Sequence, residues 1–275
     1  MRSLLRLCRF AVFCVIVALA ATLRAPGAHA GSPADAKAGP PSGPDVLGIR
    51  LGTPLREAYT MLQAANPGKK LETTASNYPS IDKPVLSMFA LGFAPANSVE
   101  NIEVYLTPPP DHQVVYRVRR HLGMQKIFRP NVLSSLHEKY GQETVQTNGG
   151  NQMWWIYDEQ GKPAGMPASQ NSPQASLEDC AARAPGTANS GWFAVGSIQN
   201  NMNNIESATW CVSSGIIVHA SFGGSGDIVT TLDVDMLNVP LAVRAGKSEM
   251  TWLASLGKAQ EQRQIEESKQ NKPKL

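Results

Sequence analysis

Four histidines lie beyond the first thirty residues of this 275-residue chain, His112, His121, His137 and His219, and they are the first place to look for acid–base or metal chemistry. No two stand at the i, i+4 spacing that puts two imidazoles on one helical face, and no H-E-x-x-H occurs, so the spacing points to no metal and no cofactor. His137-Glu138 reads as part of a solvated helix face. His219 lies within an apolar strand and, with Asp227, Asp233 or Asp235 on the same sheet, can form a dyad; with no nucleophile beside it, the plainer reading is a histidine satisfied at a sheet surface. Gly223 to Asp227 does not match G-x-S-x-G and joins two strands rather than a strand to a helix, so it reads as a hairpin turn. Gly246-Lys247-Ser248 resembles the end of a phosphate-binding loop, but Leu241 occupies the position of the first glycine and no strand frames the run. No catalytic residue is nominated, and the chain reads as a non-enzyme.

Aromatic residues carry a different signal. Trp154, Trp155, Tyr157 and Trp192 fall in the second half of the chain and form the candidate binding surface, since aromatic anchors are enriched in interfaces. Successive strand residues point to opposite faces, so Trp154 and Trp155 cannot enter the same core. One of them is covered by another element, such as the Gln160 to Asp179 loop or the terminal helix, or it meets a partner.

The location of the chain is read from its start. Arg2, Arg6 and Arg9 precede an apolar run from Phe10 to Leu23, and Ala28-His29-Ala30 places small residues where a signal peptidase reads them, so residues 1–30 are expected to be a signal peptide removed on export. The run is shorter than the roughly 20 apolar residues of a membrane-spanning helix, which leaves no span after cleavage. The formal charge is +3 for the whole chain, but four arginines leave with the signal, and the mature chain has 21 basic against 22 acidic residues. It has no positive excess with which to bind nucleic acid. Cys8 and Cys14 also leave, so Cys180 and Cys211 remain as one pair in an oxidising compartment and are expected to be joined. Closing that loop of about thirty residues would contribute roughly 3–4 kcal/mol in the chain-entropy account.

The elements that position these residues follow from hydrophobic period and end signals. Gly31 to Pro44 is small and proline-rich and reads as a flexible linker over residues 31–44. Val46 to Leu51 predicts a short strand, Thr53 an N-cap and Pro54 the first helical position, with Leu55, Ala58, Tyr59, Leu62 and Ala65 at helical spacing and Asn66-Pro67-Gly68 as the stop. Leu71 to Lys83 reads as polar loop. Strands are predicted at Pro84 to Phe93, Val99 to Thr107 and Gln113 to His121, the last with Val115, Arg117 and Arg119 opposed to Val114, Tyr116 and Val118. A second helix opens at Pro130 and ends at Gly141. Further strands follow at Met153 to Tyr157, Gly191 to Ile198, Ala208 to Cys211, Ile216 to Phe222 and Ile228 to Val234, before a helix from Leu237 to about Gln270. The class is α+β: a helix plus antiparallel meander, repeated twice, with a C-terminal helix. The units are 45–125, 126–257 with the disulfide loop, and a charged tail at 258–275.

Two segments carry a family resemblance. GIRLGTPLREAYTML, through Gly48, Ile49, Gly52, Glu57, Ala58 and Leu62, resembles the G-[IM]-x-x-G-x-[TS]-x-x-E-[AV]-x-x-x-L opening of small exported α+β domains, including the lipoprotein of the outer-membrane barrel-assembly machinery and the β-lactamase-inhibitor-protein-like fold. LSSLHEKYGQ, at Leu133 to Gln142, is similar to the L-x-x-KYG segment of uncharacterised proteobacterial exported proteins that open in the same way. The resemblance implies a fold and a periplasmic or secreted location. The function expected is that of an envelope binding protein with a protein or glycan partner. A secreted hydrolase with a site around His219, and an inhibitor of a periplasmic or secreted enzyme, are the competing readings.

Overall fold

The computed structural model describes residues 43–78, 84–92, 100–166 and 215–270. The expected signal peptide, Trp192, the Cys180–Cys211 pair and the strands expected between Gly191 and Cys211 lie outside the described residues. Val46 to Leu51 forms not one strand but a tiny hairpin, β1 (Asp45–Val46) against β2 (Ile49–Arg50). The chain reverses at Leu47 and Gly48, whose φ values are +54° and +80°, and the Gly48 amide donates to the Asp45 carboxylate at 2.8 Å. Pro54 then stays extended, with ψ at 144°, so helix α1 (Leu55–Ala65) starts one residue later than Thr53 and Pro54 predict. Thr53 makes no cap; its carbonyl accepts instead from Val115, which ties the helix entrance to the sheet at 2.8 Å.

Four strands follow α1: β3 (Glu72–Ser76), β4 (Val85–Leu91), β5 (Glu100–Leu106) and β6 (Val115–Phe128). β3 corrects the expected loop at Leu71 to Lys83. Its sequence, ETTAS, lies exposed at the sheet edge and has no apolar face to announce it. Helix α2 (Arg129–Tyr140) is followed by β7 (Val145–Thr147), β8 (Gln152–Tyr157), β9 (Ile216–Ser225) and β10 (Ile228–Asn238), then by α3 (Val239–Gln270). All pairings among the described strands are antiparallel, and the order in the large sheet is β3-β4-β5-β6-β10-β9-β8-β7. The fold is therefore α+β, and among the described residues each helix-led set of four strands forms one half of an eight-stranded sheet. The two halves meet at β6 and β10, and β6 itself runs through the expected boundary at residue 125. Residues 258–270, expected as a charged tail, are the exposed end of α3.

The first sheet face buries Phe89, Ile102, Val104, Val118, Trp155, Val218 and Met236 beneath α1, α2 and the β1–β2 hairpin. Ala58 and Leu62 of α1 and Val132 and Leu136 of α2 reach the same core. Sheet and helix are also joined by polar bonds: Trp155 Nε1 donates to the Gly141 carbonyl at 2.9 Å, and the Tyr157 hydroxyl to the Tyr140 carbonyl at 2.8 Å. These satisfy carbonyls at the end of α2 that have no partner within the helix. Tyr157→Phe is expected to cost about 1 kcal/mol, the net contribution of one such bond, read as a lower urea midpoint at unchanged m-value; an unchanged midpoint would show that the bond contributes nothing.

On the second face, α3 lays Val239, Ala242 and Val243 over Tyr105, Tyr116, Ile156 and Ile217. Both tryptophans are consequently enclosed, each 1% exposed, Trp155 in the first core and Trp154 in the second. Tyr157 is buried as well. The expected aromatic surface is thus corrected at Trp154, Trp155 and Tyr157: the pleat does divide them between two faces, and both faces are covered. Among the described residues no helix is long and apolar enough to cross a membrane.

Candidate functional site

The second face changes character along the strands. A bulge in β6 sets Val115 opposite Leu106 and Arg117 opposite Tyr105, so Tyr116 and Arg117 turn to the same face and the expected grouping of Val115 with Arg117 and Arg119 is broken. Beyond the bulge, strict alternation sends Arg119 and His121 to that face. The register then lines up three rows across β5, β6, β10 and β9. Nearest α3 is Tyr105, Arg117, Leu237 and Ile217; next comes an inner polar row of Glu103, Arg119, Asp235 and His219; outermost is Asn101, His121, Asp233 and Ser221. The row beyond is Gly123, Thr231 and Gly223. The two polar rows line a groove of about 390 Å³.

The innermost charges are locked together. Arg117, whose side chain is only 2% exposed, donates through Nε to Asp235 Oδ1 at 2.9 Å and through its terminal nitrogen to Oδ2. Burial by itself would raise the Asp235 pKa, but the Arg117 charge and hydrogen bonds outweigh it and hold the carboxyl below its usual range. Glu103 accepts from the Tyr105 hydroxyl at 2.6 Å and from Arg119 at 3.3 Å. Burial and that bond to Glu103 push the Tyr105 phenol up to about 12, so it remains a donor throughout the physiological range. His219 stands opposite Asp235 in register, and its ring stacks on Trp154 with centroids 3.9 Å apart. Trp154 Nε1 donates in turn to Thr147 at 3.3 Å.

The outer row is less occupied. His121 Nδ1 and Asp233 Oδ1 are 2.7 Å apart, with both side chains substantially exposed. The second Asp233 oxygen and the Ser221 hydroxyl make no hydrogen bond among the described residues, and the Asn101 amide oxygen is buried without a partner. The aspartate stands between His121 and Ser221, whereas a serine nucleophile needs the histidine next to it and the carboxylate behind.

Of the residues singled out by the sequence, His219, Asp233 and Asp235 come together on this face, while Asp227 lies at the β9–β10 turn and His137 of α2 pairs with Glu143, just beyond that helix, at 2.5 Å. His121 pairs with Asp233 rather than standing alone. Nothing in the sequence singles out Arg119, Glu103, Asn101 and Ser221 as site residues; the alternation in β6 and β10 signals a polar face on each, but not that the two faces adjoin. Among the described residues no group of three or more His, Cys, Asp or Glu side chains is placed to hold a metal ion. A second cavity, about 220 Å³ and apolar, lies between α2 and the first face, near Val46, Leu122, Ile127 and Leu136. The cations at its edge are already paired, Arg120 with Glu100 and Lys139 with Asp45, so it reads as a packing gap. The chain matches no protein-family model, no curated protein and no solved structure.

Proposed function

We propose that the chain is an exported, non-enzymatic binding protein of the bacterial envelope, which holds a protein or glycan partner in the polar groove of its sheet. The observation that carries this reading is the outer row, where His121, Asp233, Ser221 and Asn101 keep hydrogen-bonding capacity that no described residue uses. Binding rather than turnover is favoured by the order of the groups, with Asp233 interposed between His121 and Ser221, and by the occupation of both Asp235 oxygens by Arg117. Export is supported by the Arg2 to Ala30 pattern, and an envelope location by the resemblance of the Gly48 to Leu62 segment to exported α+β domains.

Fractionation of cells producing the full chain, followed by capture from an envelope extract on the purified protein, tests both parts. The chain is expected in the periplasmic or culture fraction without residues 1–30. An envelope component should be retained by the wild type and about tenfold less by a His121→Ala/Asp233→Ala double variant, the loss that follows from removing one or two hydrogen bonds. Cytoplasmic recovery of an unprocessed chain overturns export, and equal capture by both proteins overturns the groove.

A further inference from the structure

Resting on that reading, we infer that the outer row is a subsite for a neutral polyhydroxylated ligand, an oligosaccharide. A sugar hydroxyl both donates and accepts, so its site needs mixed donors and acceptors rather than a net charge. Asn101 offers an amide, His121 its second ring nitrogen, Asp233 a carboxylate oxygen with no hydrogen bond among the described residues, and Ser221 a hydroxyl. With its oxygen unpartnered, no internal bond to that atom fixes the rotation of the Asn101 amide.

Charge excludes the main alternatives. The charges of the inner row are cancelled, Asp235 by Arg117 of the row nearest α3 and Arg119 by Glu103, which leaves no lysine or arginine in the outer row, where His121 already faces Asp233. Phosphate or sulfate would meet the Asp233 carboxylate. A cationic ligand would find that same carboxylate shared with His121. Shape agrees with an extended ligand: the row crosses four adjacent strands, three spacings of about 4.8 Å, or about 14 Å in a line. His219, backed by the Trp154 ring, provides flat aromatic surface beside the β9 end of the row, suited to the C–H face of a sugar ring.

Titration calorimetry on the processed full-length protein, with cellotriose, maltotriose and chitotriose as neutral probes and trigalacturonate and inorganic phosphate as anionic ones, tests the assignment. At least one neutral trisaccharide is expected to bind, and Ser221→Ala and Asn101→Ala should each weaken it about three- to tenfold. His137→Ala, on the far side of the sheet, should leave it unchanged, and circular dichroism melts should show all three variants folded. Binding of the anionic probes alone, or of no saccharide, overturns the assignment, as does neutral binding that ignores Ser221 and Asn101. If envelope capture still depends on His121 and Asp233 in that case, the binding reading stands without the saccharide; if capture is lost too, both fall.

Discussion

Asp235→Ala is expected to destabilise the protein by about 3–5 kcal/mol, because it leaves the Arg117 guanidinium charged and buried with its principal partner gone. Arg117→Ala should cost a similar amount by stranding the carboxylate. The pair spans β6 and β10, the two strands that join the halves of the sheet, so its loss falls where the sheet has no other connection between the halves among the described strands. The sign of the pH dependence follows from the depressed Asp235 pKa. Its contribution is complete above the unfolded carboxyl pKa of about 3.9 and is lost as the pH falls through the lower folded value. Urea denaturation at pH 7 and in acid measures both effects. A double Arg117→Met/Asp235→Leu variant should recover much of the loss at pH 7, since the desolvation of both charges disappears with them. A single variant that loses less than about 1 kcal/mol would place the pair among surface ion pairs of small effect.

The second large effect runs with the opposite sign. Glu249 of α3 is fully buried, and neither carboxylate oxygen makes a full hydrogen bond among the described residues. Burial raises its pKa to about 8, partly opposed by a contact from the Tyr78 hydroxyl that falls short of hydrogen-bond geometry. Burial, with the Glu249 charge close by, pushes the Tyr78 phenol far above its ordinary value, so the phenol stays protonated. The carboxyl is therefore neutral in the folded protein at pH 7 and ionised in the unfolded chain. Between the unfolded value near 4.5 and the folded value near 8, the unfolded state binds fewer protons, and stability falls as the pH rises. Over that interval the loss amounts to about 4–5 kcal/mol. Glu249→Gln keeps the shape and removes the titration. It should match the wild type near pH 4.5 and exceed it progressively up to pH 9, while every other group titrates alike in both proteins. Parallel stability curves for the two would show that Glu249 is ionised in the fold.

Glu249 lies where α3 divides into a packed and an exposed part. Its first turns, to Glu249, contact the second core, while the segment after Gly257 is almost entirely exposed. Trp252 marks the edge, its ring 5.6 Å from that of Tyr78. Ionisation of Glu249 therefore acts on the last anchored turn.

Local structure was largely legible from the residues. Leu55, Ala58 and Leu62 announce α1, Pro130 and Gly141 bracket α2, and the apolar strands are recognised by composition, because each depends on contacts within a few residues or on a simple period. β3 escaped because an exposed edge strand needs no apolar alternation, and the split of Val46 to Leu51 escaped because Leu47 takes a positive φ that its side chain does not favour. The aromatic residues misled for a related reason. Alternation correctly sent Trp154 and Trp155 to opposite faces, but whether a face is wet depends on which helix lies over it.

The α+β class, the helix-then-meander order and the polarity of one face of β6 and of β10 can all be read from residue types and their local spacing. That those two faces lie side by side, that Arg117 meets Asp235 across 118 positions of chain, and that His121, Asp233 and Ser221 stand in one row emerge only from long-range strand pairing. Register is what separates the two. A strand specifies which residues share a face through its own period of two, but what they face is set by which distant strand it pairs with and at which residue, and a slip of one position would turn each of these side chains to the opposite face.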